Sequence, residues 1–216
     1  MLTLFGDLES GNVHKVQLLL HRLEVPYRRV DVSQSRGDTR RPEFLSLNPI
    51  GKVPALMLDD GDVISESGAI LYLFGAPTAL WPAGDRARAE VLRWMFFEQY
   101  SHEPALAVLR YLRRFAGRPA AADRLQDLAA AAARALRAME TQLRAQPWIA
   151  RDCPTLADYA LYPYTRWADE AEVDLAPYPA VTRWLEAFES LPRFLPLRTD
   201  GAVRAISLAA YAAERA

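Results

Sequence analysis

The chain has 216 residues, a formal net charge of −1 and three histidines. This length is enough for one large or two small domains, and the near-neutral charge gives no electrostatic reason to expect nucleic acid or an anionic membrane as a partner. Cys153 is the only cysteine, which excludes an intramolecular disulfide and a Cys-rich metal site and suits the reducing cytoplasm. No signal peptide or long apolar run is found, so a cytoplasmic protein that makes no use of a membrane is expected.

The first 75 residues alternate between strand and helix patterns. Apolar residues at Val13, Val16, Leu20 and Leu23 form the stripe of an amphipathic helix, which Pro26 ends. An Asp-Gly step within residues 59–62 indicates a hairpin between two short apolar runs. The predicted strands lie at 2–5, 27–32, 55–58 and 63–64, and shorter helices are predicted at 42–47 and 69–74. This order of elements is typical of a thioredoxin-like domain.

A linker rich in proline and glycine follows at residues 76–85, and the chain beyond it has helical patterns. Residues 86–115 predict a long helix that Pro104 kinks, because proline removes one helical hydrogen bond. An Ala-rich helix is predicted at 120–146, and residues 155–158 resemble a capping box with aspartate in place of glutamate. We therefore predict an α/β thioredoxin-like domain at 1–75 and an all-α domain at 86–216.

One stretch, residues 48–67, combines two features that suit a peptide ligand. A sharp turn leads into Val53 and Pro54, and a strand that starts with proline leaves the backbone of Val53 free to pair with an extended peptide. A few residues later, Glu66 and Ser67 open a helix, and the free N–H groups of a helix start bind anions. One surface would then offer both a strand edge and an anion site.

The pattern Asn-Pro-Ile-Gly-Lys-Val-Pro-Ala-Leu, followed by Glu-Ser at a helix start, resembles the glutathione site of the glutathione S-transferase family. The order of domains and the capping signature at residues 154–158 resemble that family too, so the resemblance covers nearly the whole chain. It implies a cytosolic, bacterial-type enzyme of detoxification with a cis-proline at Pro54. Its serine-type classes use a serine before the first helix to hydrogen-bond the glutathione sulfur, and Ser10 occupies this place. Asn12 is the rival donor.

The resemblance also implies how glutathione is held, with no metal. Lys52 would meet the glycine carboxylate, Val53 and Pro54 the cysteinyl unit, Glu66 the γ-glutamyl ammonium and Ser67 its carboxylate. The chain departs from the family at Thr39, where many relatives carry a longer polar residue that reaches the glycine end, and Arg40 is a candidate substitute. Because no cysteine lies near position 10, the cysteine-type thiol-transferase branch and a dithiol mechanism are disfavoured.

A second substrate, a hydrophobic electrophile, is expected to bind between the two domains against an aromatic wall with few polar groups. The candidates for this wall are Tyr100, His102, Glu103, Tyr111, Tyr164 and Trp167. The helix at 86–115 also carries more apolar residues than one stripe can bury, with Leu92 and residues 94–97 nearly contiguous. The family is usually a two-fold dimer, and we expect a homodimer built partly on this face.

Two classes of function follow. The first is a glutathione transferase that conjugates the glutathione thiolate to small, largely apolar electrophiles, with glutathione-dependent reduction of disulfides or peroxides as a variant in which Asn12 matters more. The second is a non-catalytic module of the same fold for assembly or ligand storage. Intact Ser10, Glu66 and Ser67 favour the first class.

Overall fold

The computed structural model describes residues 1–116, 120–201 and 203–215. It divides into two compact units, of which the first combines residues 1–74 with 192–216 and the second contains residues 75–191. The predicted α/β domain and all-α domain are both confirmed in kind. No helix in the described ranges combines the length and hydropathy needed to cross a bilayer.

The first unit is built on a five-stranded sheet. Its strands are β1 (Leu2–Phe5), β2 (Tyr27–Asp31), β3 (Ala55–Met57), β4 (Val63–Ser65) and β5 (Ala205–Ser207). They lie in the order β4-β3-β1-β2-β5. β2 runs parallel to its neighbours β1 and β5, whereas β3 runs antiparallel to β1 and β4. The predicted hairpin is therefore the β3–β4 pair.

Helices cover both faces of this sheet, because successive residues of a strand point to opposite sides. Leu4 packs in a cluster with residues of α1 (Gly11–Arg22) and α3 (Ser67–Gly75). Its neighbour Phe5 packs on the other side, with residues of α2 (Pro42–Leu45) and of a ninth helix near the end of the chain. The sheet thus separates two apolar clusters, and α1 and α3 share one face.

The end of the chain corrects the predicted domain boundary. Residues 86–216 were expected to form one helical domain, but β5 adds a strand to the edge of β2. The helix α9 (Leu208–Ala213) follows, and its Leu208 and Tyr211 are buried in the sheet cluster that contains Phe5. The tail therefore belongs to the sheet-containing unit. A three-residue strand that pairs with a segment far away in the sequence has no local signature.

The second unit is all-α. Its helices are α4 (Asp85–Phe97), α5 (Glu103–Arg114), α6 (Ala122–Ala145), α7 (Leu156–Arg166) and α8 (Pro179–Glu189). The long helix predicted at 86–115 is interrupted shortly before Pro104. A π-helical turn at Glu98–His102 separates α4 from α5, and Pro104 lies in the first turn of α5, where its missing N–H is tolerated.

The predicted capping box at Thr155 is confirmed and does more than start α7. The backbone N–H of Thr155 donates to Asp158 Oδ2 at 2.8 Å, which closes the box. The other carboxylate oxygen of Asp158 accepts from the N–H of Ile149 and from Nε1 of Trp184, each at 2.9 Å. The hydroxyl of Thr155 also donates to Oδ2, at 3.0 Å. Asp158 is completely buried, and burial raises the pKa of its carboxyl despite these four donors. This carboxylate therefore joins α7, α8 and the preceding loop.

The buried His14 of α1 generates a prediction on acid stability. Its side chain is 1% exposed, and burial lowers its pKa from 6.5 to about 4 against the opposing hydrogen bonds to Leu195 and Gln17. Between these two pH values the unfolded chain binds a proton that the folded chain does not. The free energy of unfolding should therefore fall as the pH drops from 6.5 to about 4, by roughly 3 kcal/mol from this residue.

We expect His14→Gln to flatten that part of the stability profile in urea unfolding at several pH values. His21→Gln, which alters a partly exposed histidine of the same helix, is the matched control and should leave the slope in place. Equal slopes for wild type and His14→Gln between pH 4 and 6.5 would contradict the assignment.

Candidate glutathione site

The first part of the site is the loop between β1 and α1. Gly6 has φ +154°, and a Cβ there would lie 2.2 Å from Cγ2 of Val13, so only glycine allows α1 to approach the end of β1 this closely. Ser10 is the N-cap of α1, and its hydroxyl oxygen accepts from the N–H of Val13 at 3.3 Å. This bond uses the oxygen of Ser10 and not its hydroxyl hydrogen, so capping and donation to a thiolate are compatible.

Asn12, in the first turn of α1, joins this helix to α3. Its Oδ1 accepts from Lys15 Nζ at 2.6 Å and from the hydroxyl of Ser67 at 3.5 Å. Lys15 is 0% exposed and Ser67 is 4% exposed. The rival candidate for the sulfur donor and the residue predicted to hold the γ-glutamyl carboxylate are therefore neighbours, and the first turns of α1 and α3 meet at this contact.

The loop before β3 has the predicted shape. Val53-Pro54 is a cis peptide bond, as the family resemblance implied. The buried side chain of Asn48 spans the loop, because its Nδ2 donates to the carbonyl of Lys52 at 2.7 Å and its Oδ1 accepts from the N–H of Ile50 at 3.3 Å. Val53 lies outside β3, which begins at Ala55. The two asparagine bonds thus hold the segment that carries Lys52 and Val53.

Arg40 lies against the same loop. Gly51 has φ +66°, and a Cβ there would lie 2.8 Å from Nη1 of Arg40 and 3.1 Å from the carbonyl of Thr39. Thr39 itself is buried, whereas Arg40 and Lys52 are exposed. Glycine at position 51 therefore lets a second cation approach the loop beside Lys52. From the sequence alone, Arg40 was a candidate only because it could substitute for the longer polar residue that many relatives carry at position 39.

The start of α3 is the place predicted to bind an anion. Glu66 is exposed and has φ +68°, a left-handed conformation that non-glycine residues rarely adopt, and its carbonyl accepts the first helical bond from Ile70 at 3.0 Å. Such backbone strain is found at ligand-binding positions, where the surrounding structure holds it. The N–H groups in the first turn of any helix point back along its axis, and α3 presents its own at the place where the family resemblance expects an anion.

A carboxyl near the loop has a perturbed pKa. Burial raises the pKa of Asp7, and the charge of Asp31 adds to this effect, while the hydroxyl of Ser33 and the N–H of Glu9 lower it. Asp7 Oδ1 accepts from that N–H at 3.1 Å. This bond shapes the loop that leads to Ser10, so a structural role in the loop accounts for Asp7.

The six residues predicted to bind the second substrate all lie in the second unit, at very different depths. His102 is fully buried, and its Nε2 lies 2.8 Å from Oγ1 of Thr165. Tyr100, two residues earlier, is 87% exposed, and Tyr111 is 38% exposed. Tyr164 and Trp167 are buried, and the guanidinium of Arg110 lies 3.9 Å from the ring centre of Trp167. The role of these residues, Glu103 included, stays a prediction.

Sequence reasoning missed Lys15. A lysine within a helix is normally expected on the solvated face. The only sign in the sequence that Lys15 is buried is its position next to Val16 of the apolar stripe. Within the described parts of the chain, no group of three His, Cys, Asp or Glu side chains has the arrangement of a metal site.

Comparisons with known proteins agree with this geometry. The family model of the glutathione S-transferase N-terminal domain matches residues 9–76, and that of the C-terminal domain matches residues 100–192. Together these two models cover most of the chain, the first in the sheet-containing unit and the second in the helical unit. The chain belongs to the glutathione S-transferase family.

Individual relatives differ in what they are named for. The disulfide-bond oxidoreductase YfcG of Escherichia coli is 33% identical over 85% of this chain and 88% of its own length. A glutathione S-transferase structure from Pseudomonas fluorescens is 39% identical, with a TM-score of 0.89 over 92% of this chain and 99% of that one. A second family member from that organism, with two glutathione molecules bound, is 27% identical, with a TM-score of 0.77 over 89% of each chain.

Ser67 generates the first prediction on binding. We expect Ser67→Ala to weaken glutathione binding by about 1–3 kcal/mol, because a bound carboxylate would lose a hydrogen bond in a nearly buried position. Titration calorimetry on the two proteins measures this loss. Ser46→Ala removes an exposed hydroxyl from the end of α2 and should leave affinity unchanged. An affinity equal to wild type for Ser67→Ala would reduce this serine to a helix-start residue.

Proposed function

We propose that this protein is a glutathione transferase that adds the glutathione thiolate to small, largely apolar electrophiles. Lys52 and Arg40 bind the glycine carboxylate, the backbone of Val53 pairs with the cysteinyl unit beside Pro54, and Glu66 and Ser67 hold the γ-glutamyl group. The reaction uses no metal. The single exposed Cys153 suits the reducing cytoplasm in which we place the enzyme.

The observation that carries this proposal is the contact between Asn12 and Ser67. It brings the candidate sulfur donors, on the first turn of α1, next to the candidate anion site, on the first turn of α3. A glutathione that is anchored at Ser67 by its γ-glutamyl carboxylate would extend its cysteinyl unit toward Val53. Its sulfur would then approach the N-terminus of α1, where the helix dipole favours negative charge.

The chemical role of this arrangement is to lower the pKa of the bound thiol. A free thiol has a pKa near 8.5, and a shift of about 2 units needs roughly 2.7 kcal/mol of preferential thiolate stabilisation. One charge-assisted hydrogen bond from Ser10 or Asn12, together with the helix dipole, is of this order. Neither side chain is basic enough to take the proton, so each acts as a donor to the thiolate. We keep both as candidates.

A second function, reduction of disulfides, is favoured by the similarity to YfcG over 85% of the chain. One glutathione thiolate would attack a disulfide, form a mixed disulfide and release a thiolate. A second glutathione would attack the mixed disulfide and yield oxidised glutathione and the second thiolate, so both electrons come from glutathione. Two bound glutathione molecules, as in the relative from Pseudomonas fluorescens, suit this sequence of steps.

The choice of donor is tested by thiolate absorbance and initial rate against pH for wild type, Ser10→Ala and Asn12→Ala. Loss of the true donor should raise the pKa of the bound thiol and lower turnover near neutral pH. The deficit should shrink as the pH rises, because hydroxide then forms the thiolate without help. Affinity for glutathione should change much less, because most contacts lie elsewhere. If neither variant shifts the titration, the helix start and the backbone carry the effect.

The two activities are separated by assaying conjugation of an aryl halide and reduction of a small disulfide in parallel, with the same enzyme and glutathione concentration. A donor variant that lowers both rates by the same factor indicates a shared thiolate step. If wild type does not bind glutathione in calorimetry, both proposed activities are contradicted and the non-catalytic module is favoured instead.

We also propose a homodimer. The structure modifies the surface expected for it, because Trp94 and Met95 are buried and therefore unavailable to a partner. Phe96 remains 66% exposed on α4, and Tyr100 follows it one turn later. Multi-angle light scattering should give twice the mass of the chain at micromolar concentration. Phe96→Glu should shift this mass toward that of the monomer, whereas a monomeric wild type would contradict the proposal.

A further inference from the structure

The last part of the chain returns to the sheet-containing unit, where it contacts the loop that leads to the candidate sulfur donors. This loop, residues 6–10, joins β1 to α1 and ends at Ser10, two residues before Asn12. Two residues of the returning chain, Arg198 and Asp200, are connected to the two ends of the loop. The proposed function gives neither of them a role.

Asp200 is connected to the start of the loop through Arg29. The guanidinium of Arg29 donates to both carboxylate oxygens of Asp200, and its Nη1 donates to the carbonyl of Gly6 at 2.7 Å. The same nitrogen donates to Asp31 at 2.9 Å. A guanidinium is planar and its donors are fixed relative to one another, so a carboxylate that binds two of them sets the direction of the others. Asp200 therefore helps to fix the donor that holds the Gly6 carbonyl.

Arg198 is connected directly to the end of the loop. Its Nε donates to Oε1 of Glu9 at 2.8 Å, and Glu9 immediately precedes Ser10. The backbone N–H of Glu9 donates to Oδ1 of Asp7 at 3.1 Å, within the loop. Glu9 is thus held to the loop by its backbone and to the returning chain by its side chain, one residue away from the N-cap of α1.

The backbone of Arg198 indicates that its side chain is required. Its φ of +60° lies in the left-handed region, which glycine adopts readily and other residues rarely adopt. Such strain is found where function requires a particular side chain. The side chains of Arg198 and Glu9 are 35% and 39% exposed, and an exposed ion pair of this kind contributes little to stability. The contact with Glu9 is therefore better explained by the position it gives to the loop.

We propose that Arg198 and Asp200 are positioning residues that hold the two ends of the loop, so that the sulfur donor lies within hydrogen-bonding distance of bound glutathione. This inference rests on the proposed function, and it holds whether Ser10 or Asn12 is the donor. Hydrogen bonds and the helix dipole act over short distances, so a small displacement of the loop weakens both. The predicted contacts to the rest of glutathione lie before β3 and at the start of α3, so affinity should depend little on the returning chain.

The test is a double-mutant cycle between Arg198→Met and Glu9→Met. The readouts are the thiolate fraction of bound glutathione at neutral pH and kcat with an aryl halide. Each single substitution should lower both readouts roughly three- to tenfold, because small displacements of a catalytic group cost rate steeply, and KM for glutathione should change less than about twofold. The double variant should be no worse than the worse single variant, because both substitutions remove the same contact.

The Glu9 variant separates positioning from a direct effect of charge on the sulfur. A direct effect would have opposite signs, since loss of the Arg198 cation would lower the thiolate fraction and loss of the Glu9 carboxylate would raise it. Positioning predicts a lower thiolate fraction in both variants. The sign of the change in Glu9→Met therefore decides between the two explanations.

Three further variants complete the experiment. Arg193→Met is the matched control, because Arg193 has φ +59° and pairs at 2.9 Å with Glu24, beyond the other end of α1. It should leave the thiolate fraction unchanged. Arg198→Gly suits the left-handed backbone, so its melting temperature should change little while its thiolate fraction falls as in Arg198→Met. Asp200→Asn should lower both the thiolate fraction and the melting temperature, because it disturbs a buried guanidinium. Arg198→Gly keeps the test decisive if Asp200→Asn does not fold.

Three outcomes would overturn the proposal. They are a wild-type thiolate fraction in Arg198→Gly or in folded Asp200→Asn, a raised thiolate fraction in Glu9→Met, and a loss in Arg193→Met as large as that in Arg198→Met. The last result would mean that the returning chain acts through general stability. In all three cases wild type still binds glutathione and forms the thiolate, so the proposed function stands. If wild type forms no thiolate, the proposed function itself fails.

Discussion

The sheet-containing unit depends on the hydrogen bonds made by the buried guanidinium of Arg29. It is 4% exposed and donates to the carbonyl of Gly6 at 2.7 Å, to Asp31 at 2.9 Å and to both oxygens of Asp200. A buried cation is costly unless its donors are satisfied, and loss of one partner leaves an uncompensated charge. One side chain of β2 thus ties the end of β1 to the tail of the chain, which explains why β5 and α9 add to this unit.

The same constraint reaches the site. Gly6 is the residue at which β1 gives way to the loop of Ser10, so a carbonyl held by Arg29 fixes where that loop starts. From there the N-cap bond of Ser10 sets the direction of α1, and Asn12 contacts Ser67 at the start of α3. The loop of Val53 is held separately, by Asn48. Two helix starts and one loop are therefore positioned by polar contacts in a unit whose sheet is apolar on both faces.

The parts of this structure that the sequence predicted are those with local signals. Turn residues around Val53, the Glu66-Ser67 helix start and the capping box at Thr155 each act within a few residues. The tail strand could not be predicted, because residues 205–207 carry no alternation and their partner β2 is far away in the sequence. Burial of Lys15 was missed for a similar reason, since only tertiary contacts decide whether a lysine within a helix is solvated. The apolar run on α4 was read as a surface, although Trp94 and Met95 are core residues.

A neutral donor at the sulfur has a chemical advantage over a cation. The nucleophilicity of a thiolate falls as the pKa of its thiol falls, and the best attacking thiol has a pKa near the ambient pH. A lysine in direct contact with the sulfur would stabilise the thiolate further but make it less reactive. Under the proposed function the donor is a neutral side chain, Ser10 or Asn12, so the thiolate is stabilised without a cation in contact with the sulfur. Such moderate stabilisation suits conjugation and disulfide reduction equally, since both begin with the same thiolate. What distinguishes the two reactions is then the compound that reaches the thiolate, and not the way in which the thiolate is formed.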